Sequence, residues 1–327
     1  MISGVLGTVL VVIAWLSVLR TVFIPRPLSS RAAKWTVRVL AAISAAIARR
    51  LPSRVGGRIL DFCAPMSLFT IAVVWLLGIV LGFTLIARSI NVVTDMESLT
   101  RFVTFRLDGM AIVLEVITVL SIALMFAAFH TYLVGFTKAY SRRERQPLSL
   151  AAQVPRLADA DTMVTLCLRA NSHDAVNARF AEWTDWLDDV HWSHRCYPAL
   201  VYSRPTSPLS WPSAAIIMLD TAALIEAIAP SSAPGQTRAL LTAGSACLKG
   251  LAEQAGIMLP TVQVSFHGRE DRLFNDTVQL AIGCGLHEEH DRQETWSSFQ
   301  GRRRQYAPYA TAINYFLMYE IDQEVNP

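Results

Sequence analysis

Residues 110–136 read MAIVLEVITVLSIALMFAAFHTYLVGF, and they decide the fold: the run carries one acid, Glu115, and one histidine, His130. As a helix it would reach about 40 Å, more than the roughly 30 Å of a bilayer's hydrocarbon core. Lys138, Arg142, Arg143 and Arg145 follow directly, as expected where a span leaves lipid on its basic side. Upstream, 67–87 is a second uncharged run, and 2–19, extended by 21–24, is a third. No basic stretch precedes that first run and no A-x-A follows it, so it reads as a retained span and not as a signal peptide.

The segment 32–51 looks apolar, yet Lys34, Arg38, Arg49 and Arg50 leave only ten uncharged residues between the inner pair, too few to cross. Trp35, Val39, Ile43 and Ile47 recur every fourth residue while Arg31, Lys34 and Arg38 fall on another face. That is the pattern of an amphipathic helix lying in the lipid interface. Between Pro25 and Met66 stand eight basic residues and the single acid Asp61, whereas the outer loop 88–109 mixes Asp95, Glu97 and Asp108 with Arg101 and Arg106. Positive loops stay inside. The N-terminus is therefore expected outside and the chain beyond Lys138 in the cytosol.

The expected architecture is all-α: an N-terminal transmembrane helix (1–24), a basic cytosolic linker with the interfacial helix (25–66), a transmembrane hairpin (67–137) and a cytosolic helical bundle domain (138–327). The composition agrees, because 53% of residues are hydrophobic and only 17% charged, with the apolar excess almost all before residue 140. Five cysteines without C-x-x-C spacing read as reduced thiols. A net charge of +3, with its bases at membrane edges, argues against nucleic acid as a partner.

In the cytosolic part, Val176, Phe180, Trp183, Leu187 and Val190 predict a helix over 174–192. Ser210 is placed to cap a helix running to Ala229, with helices near 236–255, 269–283 and 302–321 completing the bundle. Only 261–266 hints at a strand. Asp220, inside the apolar helix, is expected to bond Arg204 or Tyr202.

The hairpin with its outer loop, followed by Tyr132-Leu133, Tyr140 and Ser141-Arg142-Arg143-Glu144, resembles the bacterial two-transmembrane potassium-channel-like proteins of the ion-transport family. The likeness continues through Trp183, Trp186, His194, Tyr197-Pro198, Ser210-Trp211 and Leu219-Asp220-Thr221-Ala222, and covers about two-thirds of the chain. It implies a channel-type scaffold assembled as a homo-oligomer, a tetramer in that family, around monovalent ions. A potassium filter, however, needs a T-x-G-x-G type run whose glycines let rings of carbonyls replace the ion's water. Here the segment reads Thr104-Phe105-Arg106-Leu107-Asp108-Gly109. Only Asp108 and Gly109 echo the family's ending, and Arg106 puts a cation within it, so the filter is degenerate and poor potassium selectivity is expected.

At about 100° per residue, Glu115, Thr118, Ile122, Phe126, Phe129 and Leu133 fall in one stripe along the helix, with His130 near the inner end, whereas Met125 is read as lying on another side. If copies of this helix meet, these residues line a pore, and Phe126, Phe129 and Leu133 form an apolar constriction able to gate by losing water. Glu115 at membrane depth calls for a partner, for which Arg101 or Arg106 is placed. Gly78 and Gly82 form G-x-x-x-G, which lets another helix approach closely.

No Walker loop, G-x-G-x-x-G, nucleophile elbow or kinase set occurs, and His287-Glu288-Glu289-His290 lacks both H-E-x-x-H spacing and a further ligand. Catalysis, a cofactor and a metal site are not expected. Two functions remain: an oligomeric channel-like membrane protein, or a non-conducting membrane anchor that presents a helical scaffolding or signalling domain.

Overall fold

The computed structural model describes residues 2–22, 62–90, 112–153, 173–203, 209–257 and 269–317, with isolated positions at 39, 92, 97, 100, 101 and 259. Among the described residues the fold is all-α, with nine α-helices, one short 3-10 helix and no strand. In chain order they are α1 (Ile2–Val22), α2 (Cys63–Ser89), α3 (Ile112–Gln153), α4 (His173–Cys196), the 3-10 turn Pro198–Tyr202, α5 (Trp211–Ile228), α6 (Thr237–Ala255), α7 (Arg269–Gly283), α8 (Arg292–Arg303) and α9 (Ala307–Phe316). The interfacial helix expected within 32–51, most of the outer loop and the possible strand at 261–266 lie outside the described residues.

The chain divides into two compact units, one comprising Met1–Lys138 with Cys196–Tyr202, the other Ala139–Arg195 with Ser203–Pro327. In the first, α1, α2 and the beginning of α3 are the three long apolar helices expected from the sequence. Their outward faces stay apolar: Val5, Leu6, Val9, Leu77, Leu81, Val116, Leu120 and Leu124 are all exposed. Water would penalise such surfaces and hydrocarbon does not.

Small residues bring α1 and α2 together. A Cβ built on Gly7 would stand 2.5 Å from the Gly82 carbonyl oxygen, and one on Gly82 would stand 2.5 Å from Val11 Cγ2 and 3.0 Å from the Gly7 carbonyl. Gly4 meets Ser89, and Gly78 meets Ala14 at 3.2 Å. The pairing is antiparallel, and the Trp75 indole donates to Ser17 Oγ at 3.1 Å near its far end. α3 joins through the Trp15 indole, which donates to Ser121 Oγ at 2.8 Å, and through Phe129, edge-on to Trp75 at 6.4 Å. Each such interhelical hydrogen bond in lipid contributes only about 0.6 kcal/mol, so close backbone packing dominates.

The second unit is built around α5. The eighteen residues of this helix, mostly apolar, make it by length and composition a fourth helix able to cross a membrane. Nearly its whole length is buried against α6, α8 and α9, however, so it has no apolar face left for lipid, and it reads as the core of a helical bundle. Ser210 caps it, accepting from the Ser213 amide at 3.2 Å, and Asn314 of α9 bonds both serines. Leu219 fills the space over Gly244, where a Cβ would fall 2.4 Å away.

α5 also buries two carboxylates, and both are paired. Asp220 takes Arg303 Nε at 3.2 Å and the Tyr306 hydroxyl at 2.7 Å, while Arg204, one of the partners expected from the sequence, lies outside the described residues. Glu226 takes Arg238 at 3.1 Å and Arg302 at 3.0 Å. The helix expected over 302–321 begins only at Ala307, as α9 with Pro308 in its first turn, and it is preceded by a helix the sequence reading did not place, α8, which ends at Arg303 before the turn Arg304–Tyr306. That break carries Arg303 and Tyr306 to Asp220, where burial first and the carboxylate second push the Tyr306 hydroxyl's pKa well up.

Candidate functional site

The first part of α3 turns Glu115, Thr118, Ser121, Met125, Ala128, Tyr132 and Phe136 into the first unit. Met125, wholly buried, marks the middle of this face. The stripe expected to line a pore is centred about 60° round the helix from Met125, on the flank of this face. Glu115 and Thr118 sit at its buried edge, and Thr118 Oγ1 donates back to the Leu114 carbonyl at 2.8 Å. Ile122, Phe129 and Leu133 are half-buried, while Phe126, 51% exposed, and His130 face outward. The stripe thus faces in at the Glu115 end and out at Phe126. Thr104, Arg106, Asp108 and Gly109 lie outside the described residues, and Arg101 pairs with Glu97 on the surface.

Gly78 and Gly82 lie against Ala14, Val11 and Gly7 of α1. Periodicity alone could not name that partner, because the complementary Gly4, Gly7 and Ala14 do not form a G-x-x-x-G of their own.

At the other end of α3's apolar run lies a site that the sequence reading missed. The segment Cys196–Tyr202, some sixty residues further along the chain, belongs to the first unit. Its 3-10 turn packs on α2 and buries Ala199, Leu200, Val201 and Tyr202. The Tyr197 ring lies 5.2 Å from Tyr132 and 6.2 Å, edge-on, from Phe136. Its hydroxyl occupies the space over Gly135, where even a Cβ would fall within van der Waals overlap. A glycine beside two aromatics one helical turn apart was the available signal.

In the second unit the S-R-R-E motif is structural. Arg143, wholly buried, donates to Glu144 Oε1 at 2.9 Å and to the hydroxyl and carbonyl of Ser203 at 3.0 Å each, beneath the Tyr140 ring. Arg142 pairs with Asp189 at 3.0 Å, Gln146 donates to Glu182 at 2.7 Å, and the Trp186 indole donates to the Arg143 carbonyl at 3.2 Å. His194 is buried beside Trp211 with Nδ1 donating to the Val190 carbonyl at 2.7 Å. Burial, then the Arg143 charge, push its pKa down to about 3. It stays neutral at ordinary pH and senses no protons there.

The remaining titratable stretch is also tied up: Glu288 pairs with Arg292, Glu289 accepts from the Ser231 amide and hydroxyl, and His290 stands 3.3 Å from Glu294. Among the described residues no three metal-ligating side chains gather.

These helices define a multi-pass helical membrane protein carrying a helical bundle. No family model, no curated protein and no solved structure matches the chain.

Proposed function

We propose that the protein is a homo-oligomeric, channel-like membrane protein, tetrameric by its likeness to two-transmembrane potassium-channel-like proteins, in which the helical domain gates weakly selective passage of monovalent ions. One observation carries this: Tyr197 is seated over Gly135 while its neighbours Ala199–Tyr202 pack on α2, so one short segment holds both helices of the hairpin. In a hairpin channel those helix ends close the pore, and whatever grips both of them sets its width. The domain is cytosolic in this reading and the N-terminus outside, for which the basic linker speaks. No catalytic step is assigned.

Flux from liposomes tests it. Tyr197→Ala, which empties the seat without disturbing Gly135, should change basal ion leak. An unchanged leak with the oligomer intact would remove Tyr197 from gating.

A second reading is favoured by a separate observation. The polar side chains Trp15, Ser17, Trp75 and Ser121 are spent on contacts inside the helix bundle, leaving apolar outward faces. That suits a non-conducting anchor which presents the helical domain, and an absence of flux for every ion would favour it.

A further inference from the structure

α3 carries Pro147 inside its length, six residues before its end at Gln153. Proline has no N–H, so the carbonyl four residues back, that of Arg143, loses its helical bond, and the proline ring crowds the same carbonyl. A buried carbonyl needs another donor. α4 supplies one: the Trp186 indole, itself buried, donates to the Arg143 carbonyl at 3.2 Å. The acceptor that the proline leaves unmatched is thus the one the indole reaches.

The two sides of Pro147 are held differently. Before it, Arg142 pairs with Asp189 at 3.0 Å, the Arg143 guanidinium is fixed on Glu144 and Ser203, and Gln146 donates to Glu182 at 2.7 Å. Beyond it, Leu150 is buried while Leu148, Ser149 and Ala152 are exposed. Ser149 and Leu150 border a small cleft against Arg179, Trp183 and Met218, so less packing opposes movement of the tail than of the segment before it. Sharp bends in helices occur at prolines because a rung of the hydrogen-bond ladder is missing there.

We propose that residues 143–147 are a hinge in α3 and that Trp186 is its latch. While the indole holds the Arg143 carbonyl, the tail beyond Pro147 stays against α4; when that bond opens, the tail bends away about residues 143–147. Every group involved belongs to the second unit, so an absence of ion flux leaves the hinge standing. Trp186 also packs edge-on against Trp183 at 5.1 Å, and its N–H must therefore be separated from its bulk.

Backbone amide exchange, read by mass spectrometry on the full chain in detergent micelles, makes that separation. A tryptophan isostere with sulfur in place of the indole N–H, introduced at position 186 by nonsense suppression, keeps the shape and removes the donor. Amides of 148–152 should then exchange several-fold faster, with those of α5 unchanged. Pro147→Ala returns a helical amide to the Arg143 carbonyl, and in that background the isostere should leave the tail unaltered. Trp186→Phe should show the same contrast between the two backgrounds, although it also leaves a cavity. Unchanged exchange in the tail of the isostere protein overturns the latch. Equal acceleration in the tail and in α5 overturns the hinge, because the bond then supports the whole bundle. An isostere effect that survives Pro147→Ala also overturns the proposal, since the indole would not be answering the proline.

Discussion

The α1–α2 pair and the α5 bundle are both made of apolar helices, yet they are held in opposite ways. In the first, glycines bring backbones together and the bulky side chains point out; in the second, bulky side chains point in and the two buried acids are paired with arginines. The solvent explains the difference. In lipid nothing is gained by hiding leucine, so tight backbone contact must hold helices together. In water the hydrophobic effect gathers Trp211, Leu219 and Ile225 at the centre, and any carboxylate buried with them needs a partner. α5 matches a span in length and composition, and only this distinction separates it from one.

The largest effect should come from the bundle's centre. Trp211→Ala should remove about 3–5 kcal/mol, as large aromatic truncations in cores do, and cause loss of the helical unit's melting transition in detergent. A drop as small as that of a surface substitution would mean α5 is not core. Next, Gly82→Val should destabilise the α1–α2 pair by about 1–3 kcal/mol through overpacking, while Gly78→Ala, facing only Ala14 Cβ at 3.2 Å, should be far milder. Equal melting shifts for the two would dissolve the contrast between the regions.

A smaller effect concerns pH. Buried His194 has its folded pKa lowered to about 3, so below about 6.5 the unfolded chain takes up a proton that the folded one refuses. Its contribution is complete above the unfolded value and is lost as pH falls from about 6.5 towards 3, at up to about 1.4 kcal/mol per pH unit. His194→Asn, which keeps a donor for the Val190 carbonyl, should flatten the decline in stability between pH 6.5 and 5. Parallel curves for the two proteins would show that His194 is not buried neutral.

Much of this was legible in residue spacing. The three apolar runs, the cap at Ser210 and the α4 face from Val176 to Val190 all follow from local periodicity. What escaped were long-range partners. Asp220 finds Arg303 and Tyr306, more than eighty residues away, at the end of a helix, α8, that the sequence did not announce and in the turn that follows it. The pore-lining stripe was placed from angles alone, and angles name a face without saying what it meets. Met125, set aside as facing elsewhere, lies at the centre of the packed face. Gly135 drew no notice, since its reason for being small is Tyr197.

The most direct test is ion flux from liposomes holding the purified protein. Phe126 and Leu124 are both exposed and lie about 160° apart around α3, so only one of them can face a pore. If α3 lines one on its flank, Phe126→Ser should raise the leak of potassium and sodium with little preference between them, because a hydroxyl eases wetting of the constriction, and Leu124→Ser should not. No leak from an intact Phe126→Ser oligomer, or equal leak from both variants, would contradict the channel-like account.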